Sequence, residues 1–141
     1  MKEFWTRIRA RYPETDRMGI VHHTNHLVWF EIGRTELLRE IGMPYAALEE
    51  AKVFMPVIEV GVRYKRPVRY DEEIDVVTRV EDVTGVCVRF GYRLVRHLTG
   101  EPVATGYTLH ASTDERGAPR RMSGTLKEQL GGLAAGAGAL S

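Results

Sequence analysis

Cysteine is almost missing from this chain of 141 residues: Cys87 is the only one. That excludes an intramolecular disulfide and a zinc site built on several thiolates, and it fits a reducing, cytosolic setting. Long apolar runs are missing too. The N-terminal M-K-E-F-W-T-R-I-R-A-R offers no stretch for a signal peptide, and no segment approaches the length of a membrane span. Neither sign of charge is in excess, with 20 basic and 19 acidic residues. The chain therefore has no overall field to gather nucleic acid or an anionic membrane surface, and any basic patch is local.

What is present is enough for one domain, since a chain of this size buries roughly two thirds of its unfolded surface. Phe4, Thr6, Ile8 and Ala10 alternate with Trp5, Arg7, Arg9 and Arg11, the period of a half-buried strand. The period then lengthens. Leu27, Phe30, Leu37, Leu38 and Ile41 recur at helical spacing and predict a helix over 25–41, with Thr24 or Asn25 as N-terminal acceptor and Gly42 and Pro44 as stop signals. Pro44 can open a second, short helix through Ala51. Valine-rich segments at 55–65, 72–83, 86–98 and 102–113 predict strands. The short Thr84-Gly85 and Thr99-Gly100-Glu101 connections make the last three antiparallel. Residues 122–130 can add a helical turn or two. The expected organisation is a single domain over 1–130 and a flexible, low-complexity tail over 131–141. One sheet and one principal helix leave sheet edges uncovered, so a homodimer or homotetramer is expected.

The chemistry gathers in Y-P-E-T-D-R-M-G-I-V-H-H-T-N-H-L-V-W-F-E, residues 12–31, too polar for an element interior yet leading into the helix. His22 and His26 are four apart, but the His-Glu-x-x-His order is absent and no third ligand is near, so no metal is expected. Cys87 with His97 or His110 could in principle make a thiol hydrolase, but it lies mid-strand without a nucleophile turn around it and reads as structural. Arg63, Lys65, Arg66 and Arg69 form the densest basic patch, at a strand end; they suit phosphate oxygens or are a solvated face.

The run Glu14-Thr15-Asp16, then Gly19, Val21, His22 and His23 ahead of the helix, resembles the hotdog-fold acyl-CoA thioesterases of the 4-hydroxybenzoyl-CoA thioesterase type. The resemblance implies an α+β hotdog fold, an antiparallel five-stranded sheet wrapped around one long helix, which agrees with the element order read independently. It implies hydrolysis of an acyl thioester to a carboxylic acid and coenzyme A, with Asp16 as general base or nucleophile and no cofactor. The backbone N–H of His23, at the loop-to-helix junction, becomes the donor to the thioester oxygen. Gly19 allows the tight loop, Tyr12 matches a tyrosine beside the carboxylate, and Arg63, Arg66 and Arg69 would meet the coenzyme A phosphates. The site is expected between protomers, and an acyl carrier protein can stand in for coenzyme A. Two rivals remain: a non-catalytic acyl-CoA-binding module of the same fold, and a hotdog hydratase, whose Asn-Pro-x-His after an aspartate is absent.

Overall fold

The computed structural model describes residues 1–135. Strand β1 (Glu3–Arg9) leads through a 3-10 turn at Tyr12–Glu14 and a loop into helix α1 (Asn25–Glu40); a short helix α2 (Tyr45–Glu50) precedes β2 (Val57–Tyr64), β3 (Glu73–Val83), β4 (Cys87–Arg96) and β5 (Pro102–Ala111), and helix α3 (Gly124–Ala135) follows. The five strands form one antiparallel sheet in the order β1-β3-β4-β5-β2. This is the hotdog arrangement, and the predicted alternation in β1 sets its register: Phe4 is buried and lies opposite Thr78, while Trp5 is exposed.

Helix α1 lies across the inner face on β1, β3 and β4. Its Trp29, Phe30, Leu37 and Leu38 are buried with Val76, Val80, Phe90, Tyr92 and Leu94 of the sheet. Phe30 stacks on Tyr92 with ring centroids 4.4 Å apart and lies over Gly106, where a Cβ would stand 2.6 Å from the Phe30 ring. Glycine on β5 is thus what lets the helix approach there. Burying side chains of this size removes roughly 1.5–3 kcal/mol each of unfavourable hydration. β2 is left at the edge, touched by α1 only near Tyr64, and Val57, Ile58 and Val60 stay about half exposed.

On the outer face of β4, Gly91 is buried beneath Glu81 and Arg79, which pair at 2.8 Å, with Arg89 joining Glu81 at 3.0 Å. One expectation needs correction. The helix expected over 122–130 continues to Ala135. Leu126 and Leu130 are buried, Leu133 packs against the core, and the Lys2 N–H donates to the Leu133 carbonyl. Apolar spacing, not composition, decides that extension. The remainder of the predicted tail, 136–141, lies outside the described residues. Among the described residues no helix is long and apolar enough to cross a membrane.

Candidate active site

The loop 15–24 is a small hairpin folded on Asp16. Thr15 bridges Val21, the Asp16 N–H donates to the Ile20 carbonyl at 2.8 Å, and Gly19 takes φ +76°, the left-handed conformation that glycine adopts without steric cost. One oxygen of the exposed Asp16 carboxylate, Oδ1, accepts the N–H of Met18 at 2.8 Å and of Ile20 at 3.2 Å. Oδ2 has no hydrogen-bond partner among the described residues. The hairpin's return strand docks on the chain before β3, with Val21 N–H to Val68 carbonyl at 2.7 Å and a bridge from Ile20 to Arg69.

Glu14 locks the hairpin to α1, a role the motif alone does not disclose. Its buried carboxylate accepts the Trp29 indole N–H at 3.2 Å and the Arg11 backbone N–H at 2.7 Å. Its carbonyl accepts the His22 N–H at 2.8 Å and the Asn25 side-chain amide at 3.1 Å. Asn25 therefore acts as a donor to loop carbonyls rather than as the expected cap. Thr24 makes no side-chain cap either, because its hydroxyl pairs with His22 Nδ1 at 2.8 Å. The start of α1 consequently keeps open N–H groups, and among the described residues nothing accepts the N–H of His23.

Beside that N–H lies an open cleft of about 320 Å³ lined by Ile20, Val21, His23, His26, Tyr64, Lys65, Arg66 and Pro67. The Tyr64 hydroxyl, at the end of β2, donates to the His23 carbonyl at 2.7 Å, and His26 Nδ1 lies 3.1 Å from the same oxygen. A carbonyl only accepts, so His26 carries its proton on Nδ1. Burial holds His26 below the ordinary histidine range and the charge of His23 works in the same direction, so its Nε2 is a bare lone pair, buried without a partner among the described residues. The Tyr64 ring stands edge-on to His26, centroids 4.8 Å apart.

The fold thus collects His23, Gly19 and the Asp16 turn at one end of α1, with Lys65 and Arg66 on the cleft wall. Other predicted residues stand apart. Tyr12 is exposed and meets Tyr70 edge-on at 5.8 Å, outside the cleft lining. Arg63 alternates to the opposite sheet face, beside Gly61, Thr105 and Tyr107. Arg69 is exposed, and its N–H donates to Glu72 at 2.8 Å. His22 and His26 do not converge, their Nδ1 atoms being committed to Thr24 and His23, and among the described residues no cluster of three or more His, Cys, Asp or Glu side chains is placed for a metal. Cys87 begins β4, half-buried. Tyr64 and His26 escaped the motif reading as site residues; the only sequence signal for Tyr64 was its place at the end of a strand beside the basic patch.

A sheet curled on one helix, whose open N-terminus faces a cleft next to a carboxylate turn, defines a hotdog-fold thioesterase architecture. The thioesterase-like superfamily model matches residues 11–130, and the chain belongs to that family. The acyl-CoA thioesterase candidate YneP of Bacillus subtilis is 44% identical over 87 residues, which are 62% of this chain and 63% of YneP, so the match spans less than two thirds of that protein's length. Among solved structures, the hypothetical protein TT1821 of Thermus thermophilus superposes with a TM-score of 0.88 at 36% identity, covering 94% of this chain and 98% of that one. The DHNA-CoA thioesterase of Staphylococcus aureus gives 0.81 at 33% identity, covering 86% and 81%.

Proposed function

We propose that the protein is an acyl-CoA thioesterase in which Asp16 is the catalytic carboxylate and the His23 N–H polarises the thioester. The observation that carries this reading is the unclaimed His23 N–H, at the start of a 16-residue helix and beside the cleft. Negative charge develops on the carbonyl oxygen as the tetrahedral intermediate forms. A fixed donor at the positive end of a helix stabilises that oxygen more than the ground-state carbonyl. Asp16 either takes a proton from water, which attacks the carbonyl carbon, or attacks it directly to form an anhydride that water then opens. In both routes the C–S bond breaks, coenzyme A leaves as a thiolate and is protonated, and the acid is released. The carboxylate is ionised in both. The likeness to a structure named as a thioesterase, that of S. aureus, supports the activity.

Asp16 does not line the cleft of the single chain, and the apolar β2 edge is open, so the working site is placed between two copies paired along β2. Val57, Ile58 and Val60 are the side chains such pairing would cover. Sedimentation equilibrium at micromolar concentration should give twice or four times the 16.0 kDa chain mass; a monomer mass rejects the shared site. A cytosolic location belongs to the same proposal. Release of free thiol from a panel of short, long and aromatic acyl-CoAs tests the activity. Stoichiometric binding without thiol release would make the protein an acyl-CoA-binding module instead.

A further inference from the structure

Among the described residues Arg34 is a cation with no anion. It sits on the sheet-facing side of α1 and is 7% exposed. Its Nε donates to the Tyr45 hydroxyl at 2.9 Å and its Nη1 to the Tyr92 hydroxyl at 3.4 Å. The chain of bonds continues through neutral groups only: Tyr92 to Thr108 at 2.6 Å, Thr108 to His110 Nε2 at 2.8 Å, and His110 Nδ1 to the Met55 carbonyl at 2.8 Å. Among the described residues no carboxylate pairs with Arg34, and no acceptor lies on its Nη2. Buried guanidinium groups are ordinarily matched by a carboxylate, because removing the charge from water costs several kcal/mol.

The position of Arg34 relates it to the cleft. His26, Phe30 and Arg34 follow at i, i+4 and i+8 on one face of α1, so Arg34 lies ~12 Å along the helix from His26. Beside this row, past the buried inner face of β5, runs the inner face of the edge strand β2, where Val60 and Tyr64 stay about half exposed. Thr108, the third member of the bonded chain, pairs in register with the half-exposed Val60 of that strip. An acyl group whose thioester sits at the start of α1 and which is laid along the inner face of β2 runs toward Val60 and, beside it, the Thr108–Tyr92–Arg34 end of the bonded chain. The other approach is closed to anions: Tyr45 and Met55, at the two ends of the bonded chain, share a 390 Å³ hollow with Glu49, Asp114 and Glu115, none of which bonds Arg34.

We propose that Arg34 is a specificity residue that receives a carboxylate at the far end of the acyl group, so that the preferred substrates are thioesters of dicarboxylic acids. This rests on the acyl-CoA thioesterase reading. The cation is already desolvated in the folded protein, so a carboxylate in fork geometry gains charge-assisted hydrogen bonds without a second burial of the guanidinium. A methyl-ended chain of equal length leaves the guanidinium unmatched.

Binding and hydrolysis are measured separately. Coenzyme A thioethers, which cannot be hydrolysed, are prepared in a series of chain lengths with either a methyl or a carboxylate terminus, and their affinities are determined by calorimetry. At the matching length the carboxylate-ended ligand should bind wild type at least ~10-fold more tightly, the scale of one hydrogen bond to a charged group. Arg34→Gln should abolish that preference, and Arg34→Lys should keep part of it. Equal affinities in wild type at every length overturn the proposal, as does a preference that survives Arg34→Gln. Should Arg34→Gln fail to fold, the wild-type series and Arg34→Lys still decide. Thiol release from the corresponding thioesters is the separate readout. A carboxylate preference without any hydrolysis would leave the Arg34 site standing and reject the thioesterase reading.

Discussion

The Tyr64 hydroxyl donates a 2.7 Å hydrogen bond to the carbonyl of His23, tying the end of the edge strand β2 to the residue whose N–H opens onto the cleft. The phenol is a neutral donor at physiological pH, as an ordinary tyrosine is, and partial burial shifts its pKa further upward. Tyr64→Phe keeps the ring against His26 and deletes only the donor. The expected loss of stability is small, ~0.5–1.5 kcal/mol, because water can take the place of a partly exposed hydroxyl. The expected loss of kcat is larger in proportion, since the donor angle at His23 loosens while coenzyme A contacts remain. Denaturant midpoints and steady-state kinetics on the same preparation separate the two; an unchanged kcat means the bond does not position the site.

Acid should weaken the protein through the bonded chain under α1. Burial, with the Arg34 charge adding to it, lowers His110 from 6.5 to about 4. Between those values the unfolded chain holds a proton that the folded chain refuses, so stability rises with pH across this window. The contribution is complete above about pH 6.5 and lost as pH falls toward 4, with ~3 kcal/mol as its upper scale. His26, also lowered by burial, acts in the same sense. Urea unfolding at pH 7 and pH 4.5 should show the drop. His110→Gln should lower stability at neutral pH and flatten its dependence between the two.

Most of the scaffold was legible because each element carries a local signal. The two-residue period of β1, the helical rhythm from Leu27 to Ile41 and the short turns between β3, β4 and β5 are consequences of nearest neighbours. The positions of β1 beside β3 and of β2 beside β5 are long-range pairings that no local signal in the sequence discloses. At the site, Asp16 and Gly19 were singled out through the family resemblance. The burial of Glu14 against Trp29, the bond from Tyr64 to His23 and the surroundings of Arg34 were not legible, since each involves groups that the sequence separates by 11 to 58 residues. The basic run at 63–69 divides in space for a related reason. A strand alternates its faces, so residues adjacent in sequence part company in space.

That alternation makes Arg66 the residue of the basic run to test. Arg66 lines the cleft with Lys65, whereas Arg63 faces the other side of the sheet. Contacts to coenzyme A phosphates hold ground and transition state alike, so their loss raises KM and leaves kcat near its wild-type value. Arg66→Ala should raise KM for acyl-CoA several-fold and weaken its salt dependence, Arg69→Ala should do less, and Arg63→Ala least. Equal effects from all three would point to a diffuse field in place of a site, or to a partner copy that brings Arg63 to the ligand.

Asp16→Asn bears on the whole functional reading. The substitution keeps the size of the side chain and an oxygen able to accept the Met18 and Ile20 N–H bonds, so the hairpin and the assembly should survive. What disappears is the only feature both hydrolytic routes require, an ionised oxygen free to take a proton or to attack. The Oδ2 atom, unclaimed among the described residues, is that oxygen in the native chain. Turnover should fall at least ~10²-fold, the lower range for losing general-base assistance, while KM changes little because the cleft wall is untouched. A residual rate should persist, since the open N–H of His23 still polarises the carbonyl. Turnover close to wild type in a correctly assembled Asp16→Asn variant would remove Asp16 from the mechanism and turn attention to His23 and His26 of the cleft lining, and to Glu31 further along α1.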